Sequence, residues 1–188
     1  MGTKVGNEYQ WMTIKETVET AKHIAAGCAA LDLAPLVEAE DRPWRFLGIQ
    51  AKNRKEWNLF HLANQYNAIS SVTLYDTLGT AASQFICDQT ELSTIATSGD
   101  LVEKICTMKT GENDPEGKMK GLKTIVCFED EVPVKGLKMA EAVGINVITL
   151  SDVIEAGKLN TSWRETVAAP DDVMLISYTS GTSGNPKG

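Results

Sequence analysis

"RFLGIQAKNRKEWNLFHLANQYNAISSVTLY" occupies residues 45–75, and its three parts decide the fold. Residues 45–51 form a short apolar run of buried-strand type. In the stretch that follows, Asn53 and Glu56 have the spacing of a helix capping box. Trp57, Phe60, His61 and Asn64 then recur on neighbouring turns of one helix. Residues 70–75, "SSVTLY", again favour a strand. A strand, a helix and a strand joined by short connections make a βαβ unit, in which the two strands run parallel.

The alternation continues in both directions. Upstream, Thr13 and Glu16 form a T-x-x-E capping box, followed by Ile14, Val18, Ala21, Ile24, Ala25, Cys28 and Leu31 at helical spacing. That helix is predicted to run to about Leu33, before Pro35. Downstream, residues 77–90 read as a helix, with Asp76 or Thr77 as its cap, 92–98 as a strand and 100–109 as a helix. Residues 111–117 are a hydrophilic loop. Strands at 123–129, 145–150 and 171–178, with helices near 136–143 and 151–157, complete an α/β chain built on a parallel sheet. In such sheets ligands sit beyond the carboxyl ends of the strands.

Composition narrows the function. The chain has 188 residues and a net charge of -7, with no dense Lys/Arg run, so no nucleic-acid partner is expected. Cys28, Cys87, Cys106 and Cys127 lie far apart and show no metal-ligand spacing, which predicts reduced core thiols. No apolar stretch is long enough to span a bilayer, and the first residues lack a signal-peptide core, so the chain is expected to be soluble as given. His23 and His61 are expected to be packed or half-exposed imidazoles. Trp11, Trp44, Trp57 and Trp163 are expected to serve core or interface packing, and Asp171 and Asp172 to be solvated charges.

Chemistry concentrates in "YTSGTSGNPKG", residues 178–188, just past the last predicted strand. Glycines let backbone N–H groups approach anionic oxygens, hydroxyls donate hydrogen bonds or complete a Mg²⁺ shell, and a lysine brings a mobile charge. It is not a Walker A loop, because Pro186 stands where that pattern needs glycine.

The stretch resembles the phosphate-binding signature of the adenylate-forming (AMP-binding) superfamily, with Ser183 where threonine is usual. "LYDTLG" (74–79), "YQWMTIKETVETAKHIAAG" (9–27) and "PDDVMLISYTSG" (170–181) are similar to matching regions of the superfamily's long-chain acyl-CoA synthetases. The resemblance runs from about Tyr9 to Gly188. It is weakest at 108–122 and 130–165, and it identifies residues 1–188 as an incomplete amino-terminal part of such an enzyme, ending at the phosphate loop. It implies ATP-dependent activation of a long-chain fatty acid through an acyl-adenylate, followed by transfer to coenzyme A, with Mg²⁺ as the metal. By the same resemblance Thr179, Ser180, Thr182 and Ser183 hold the β- and γ-phosphates, and Thr179 also touches Mg²⁺. Gly181, Gly184 and Gly188 let the loop close, and Lys187 is the catalytic cation that neutralises pyrophosphate. Tyr178 is expected to pack. The resemblance further implies a cytoplasmic parent enzyme, working in solution or on the cytosolic face of the endoplasmic reticulum or another organelle membrane. Two alternatives remain at this point: a ligase for a medium-chain or aromatic acid, and a non-catalytic nucleotide- or partner-binding protein on the same half-fold.

Overall fold

The computed structural model describes residues 1–39, 42–75, 78–110, 117–166, 168–179 and 185–188. The chain opens with a two-stranded antiparallel hairpin, β1 (Gly2–Val5) and β2 (Glu8–Trp11), and continues into α1 (Ile14–Ala30). Thr13 caps α1 as a full capping box: its hydroxyl accepts from Glu16 N, and Glu16 accepts from Thr13 N. The hairpin and the next strand, β3 (Leu36–Ala39), had no sequence signal of their own. Residues 9–11, read as leading into the first helix, are strand.

The main sheet has seven described strands. Besides β3 they are β4 (Arg42–Gln50), β5 (Ser70–Thr73), β6 (Thr94–Thr97), β7 (Thr124–Cys127), β8 (Asn146–Thr149) and β9 (Leu175–Ser177). Six run parallel in the order β8-β7-β6-β4-β5-β9, and β3 lies antiparallel to the first half of β4. All six sequence-predicted strands are present; five are trimmed to their paired residues, while β4 begins at Arg42, three residues before the predicted start, where it pairs with β3. Residues 171–174 of the last prediction precede β9.

Helices cover both faces. On one, α1, α2 (Lys55–Gln65) and α6 (Leu150–Leu159) pack Ile24, Phe60 and Val153 against Leu47 and Ile49. On the other, α3 (Thr80–Gln89), α4 (Val102–Thr110) and α5 (Val134–Ala142) pack Ile86, Ile105 and Ala140 against Phe46, Val72 and Ile125. Alternate residues of β4 therefore serve opposite cores, as the pleat demands. All four cysteines are free and buried, as expected. Burial pushes the thiols of Cys28 and Cys87 up to about 12, so they remain protonated packing groups.

α1 and α6 meet backbone to backbone. A Cβ on Gly27 would stand 1.9 Å from Val153 O, and one on Gly157 would stand 1.8 Å from His23 O. Only glycine at both positions permits this contact.

Two expected helix starts differ. The cap of α2 is Arg54, without a side-chain cap bond, so Asn53 and Glu56 form no capping box. Glu56 instead accepts from the Arg54 guanidinium at 2.7 Å, a charged pairing that outcompetes the cap. α3 begins at Thr80 behind Gly79; the proposed caps Asp76 and Thr77 lie outside the described residues. At the other end, α1 stops at Ala30 rather than Leu33, because Asp32 turns left-handed (φ 47°) and Leu33 N bonds back to Cys28 O.

Candidate functional site

Past the carboxyl end of β9 the chain reaches Tyr178, Thr179 and, after the loop, Lys187 and Gly188. Thr179 N donates to Lys187 O at 2.8 Å, and Lys187 N donates to Thr179 O at 3.1 Å. This antiparallel bridge closes the neck of the loop. Thr179 Oγ1 is 3.4 Å from Lys187 O at the same neck. Both side chains are exposed, free to reach a ligand above the sheet edge. The structure thus brings Thr179, Lys187 and Gly188 together. Ser180, Gly181, Thr182, Ser183 and Gly184 lie outside the described residues.

Tyr178 packs, as expected. It is 5% exposed within the core under α3, and burial, with the nearby Cys87 second, raises its hydroxyl above its ordinary 10. The hydroxyl donates to Gln89 Oε1 at 2.9 Å. Gly188 lies against the ring: a Cβ there would be 2.8 Å from Tyr178 Cζ and 2.9 Å from Ile176 Cγ2.

β5 and β9 are stitched together below this loop. Ser70 Oγ donates to Val173 O, Thr73 Oγ1 donates to Ile176 O, and Tyr75 Oη lies 2.8 Å from Ser177 Oγ. These links hold the start of the loop at a fixed height over the sheet.

A second polar cluster, missed in the sequence, occupies the carboxyl ends of β4, β6 and β7. Arg54 donates to Glu56 at 2.7 Å and to Glu129 at 2.6 Å, while the other Glu129 oxygen accepts from Gly99 N at 2.8 Å. Burial pushes the Glu129 carboxyl up. Arg54 and the Gly99 N–H outweigh it and hold the group below its ordinary 4.5. A cavity of about 350 Å³ opens beside it between Lys52, Arg54, Ser98, Asp100 and Leu101. Here the chain leaves β4 for one face and β6 for the other, which is the switch-point position of a doubly wound sheet. The partners are 75 residues apart, so no local spacing announces them.

The remaining candidates are structural. His61 is half-buried, facing Ser71 and tilted against Trp57. Trp44 stacks on Phe46, and Trp163 donates to Asn67. Trp11 does not pack in the core: it is 76% exposed and stacked on Tyr9 along the hairpin. Asp171 and Asp172 are exposed, Asp172 accepting from Ala169 N. Among the described residues, no three His, Cys, Asp or Glu side chains gather as a metal site, and no helix is long and apolar enough to cross a membrane.

The sequence profile of the AMP-binding enzyme matches residues 3–188. The chain belongs to the AMP-binding enzyme family. Fatty acyl-CoA synthetase B of Dictyostelium discoideum is 29% identical over 182 residues, covering 96% of this chain and 25% of that protein. Long-chain-fatty-acid–CoA ligase 5 of Mus musculus is 32% identical over 188 residues, covering 98% of this chain and 25% of its own length. The chain therefore spans about a quarter of the length of these curated relatives. The fold agrees with solved AMP-binding structures. The adenylation domain of a Mycobacterium chelonae carboxylate reductase superposes with a TM-score of 0.74 at 19% identity, over 96% of this chain and 27% of that one. The didomain of the Segniliparus rugosus carboxylic acid reductase, in complex with AMP, superposes with a TM-score of 0.71 at 20% identity, over 96% and 25%.

Proposed function

We propose that this chain is the amino-terminal segment of a ligase that activates a long-chain fatty acid with ATP, through an acyl-adenylate, for transfer to coenzyme A. The observation that carries the reading is the Gly- and hydroxyl-rich loop 178–188, pinned at its neck beyond the carboxyl end of β9. Membership of the AMP-binding family and relatives named as long-chain ligases support the acyl class.

A carboxylate is a poor acyl donor until one oxygen becomes a leaving group. Its attack on the α-phosphorus of ATP breaks the bond to the β-phosphate bridging oxygen and releases pyrophosphate. Negative charge grows on that leaving group, so cations and N–H donors already aimed at it lower the barrier. Lys187, exposed at the loop neck, supplies the mobile charge. The hydroxyls and backbone amides of the loop hold the β- and γ-phosphates. Thr179 Oγ1, an exposed hard oxygen at the neck, fits Mg²⁺, which takes few protein ligands when phosphates supply the rest. Bound there, Mg²⁺ would supply charge neutralisation on the phosphates.

The test is fatty-acid-dependent ATP–pyrophosphate exchange in a full-length ligase carrying this segment. Lys187→Ala is expected to slow exchange by roughly 2–4 kcal/mol of transition-state stabilisation, as for loss of an oxyanion donor, with fatty-acid binding nearly unchanged. Wild-type exchange in the variant would remove Lys187 from the reaction.

A further inference from the structure

The neck of the loop rests on one aromatic ring. Thr179 and Lys187 pair through their backbones, the residue before Thr179 is Tyr178, and the residue after Lys187 is Gly188, flush against the Tyr178 ring. Both strands of the neck therefore take their height from that ring. The ring in turn is tied at its hydroxyl to Gln89 Oε1, at 2.9 Å, on the last residue of α3. Gln89 is itself exposed, so its side chain fills no core space, and the hydrogen bond is its visible contribution.

We propose that Gln89 and Tyr178 are positioning residues for the phosphate loop, with α3 setting the height and tilt of the neck through the Gln89–Tyr178 hydrogen bond and the Tyr178–Gly188 contact. The proposal rests on the reading of residues 178–188 as a phosphate clamp. The Tyr178 ring is 5% exposed while its acceptor Gln89 is exposed, so without Gln89 the hydroxyl turns to water, which does not fix the ring, and the ring is free to shift. Gly188 has little space to follow passively, since even a Cβ there would stand 2.8 Å from the ring and 2.9 Å from Ile176. The displacement passes to Lys187 and separates it from Thr179. The cation and the hydroxyls then meet a polyphosphate out of register, which weakens binding without opening the core.

The 188-residue chain is suited to the test. Amide hydrogen exchange at Thr179 and Lys187 reports the neck, Mg·ATP titration followed through the Lys187 and Gly188 amide shifts reports the clamp, and the melting temperature reports the core. Gln89→Leu and Tyr178→Phe are expected to lower neck protection and Mg·ATP affinity by about three- to tenfold, the range for loss of one hydrogen bond. Gln89→Leu should leave the melting temperature essentially unchanged. Gln89→Glu, which keeps an acceptor for the hydroxyl, should restore neck protection. Undiminished protection in both Gln89→Leu and Tyr178→Phe, with wild-type binding intact, overturns the positioning role and leaves the clamp standing. A wild-type chain with a protected neck and no Mg·ATP response even at ligand concentrations well above millimolar overturns the clamp and this assignment with it.

Discussion

His61 Nδ1 lies 3.0 Å from Ser71 Oγ, which already accepts from the Asn64 amide at 2.9 Å. The remaining proton on Ser71 is free to point at His61, and only a neutral ring accepts it. Burial works in the same direction and lowers His61 below its ordinary 6.5. The folded state therefore takes up this proton later than the unfolded chain. Stability is full above about pH 6.5 and falls as the pH drops from there toward the lowered folded value. Glu129 has the opposite charge type and a lower window. Its depressed pKa stabilises the fold above its ordinary 4.5, and that contribution is lost as pH falls through the depressed value. Melting temperatures measured from neutral to acid pH should show two separate declines. His61→Gln is expected to flatten the first and Glu129→Gln the second. A single decline confined to the acid end in the wild type would dismiss the role given to His61. At this scale the loop 178–188 was legible because glycines, hydroxyls, proline and lysine stand together in order. Gln89 was not, because a hydrogen bond over 89 residues leaves no trace in local spacing.

Helix ends explain much of what the sequence left obscure among the elements. α1, α2, α3 and α5 are each followed by a left-handed residue: Asp32, Ala68, Glu91 and Gly144. The next residue in each case, Leu33, Ile69, Leu92 or Ile145, is buried and returns its N–H to the last turn, on Cys28, Asn64, Cys87 or Ala140. This is the Schellman ending, whose usual mark is glycine at the left-handed site. Only Gly144 carries that mark here, so the first helix read about three residues too long. The apolar residue that follows is a second mark, and all four ends show it. The strands were easier, since β5, β6 and β7 are short, fully or nearly fully buried runs rich in β-branched residues. β1 and β2 were hard for the converse reason: every residue of β2 is exposed, with no buried alternation to read. Ala68 gives a direct test of the strain at these ends. A left-handed alanine costs about 1 kcal/mol, part of which glycine returns through its freer unfolded chain. Ala68→Gly should therefore stabilise the fold by about 0.5 kcal/mol, while Ala68→Val, β-branched at positive φ, should destabilise it by more than that gain. Urea unfolding midpoints read both changes. A loss of stability in Ala68→Gly would show that the Ala68 methyl contributes more through contact than its backbone costs.

At the scale of the whole molecule, the sheet holds the neck of the proposed phosphate loop on one rim, with the described neck residues open to water. Ser177, Thr179, Lys187 and Gly188 are all exposed, although Tyr178 beneath them is buried. The described residues around the neck therefore offer a floor and a cation to the proposed nucleotide, without a second wall over it. Affinity in such a geometry is set by a few charge-assisted hydrogen bonds working against solvent screening. Ordering loop residues on binding opposes them at about 1–2 kcal/mol of backbone entropy per residue. The Thr179–Lys187 bridge, already formed, spares the neck that cost. The 188-residue chain is thus expected to bind Mg·ATP no more tightly than about millimolar, near -4 kcal/mol, and more weakly as ionic strength rises. Given palmitate, coenzyme A and Mg·ATP, it is expected to release no AMP. Calorimetric titration at two salt concentrations, with an assay for AMP release, decides the matter. Micromolar affinity or sustained turnover by this chain would mean that these 188 residues enclose the nucleotide on their own, and the open-rim description of the site would have to be abandoned.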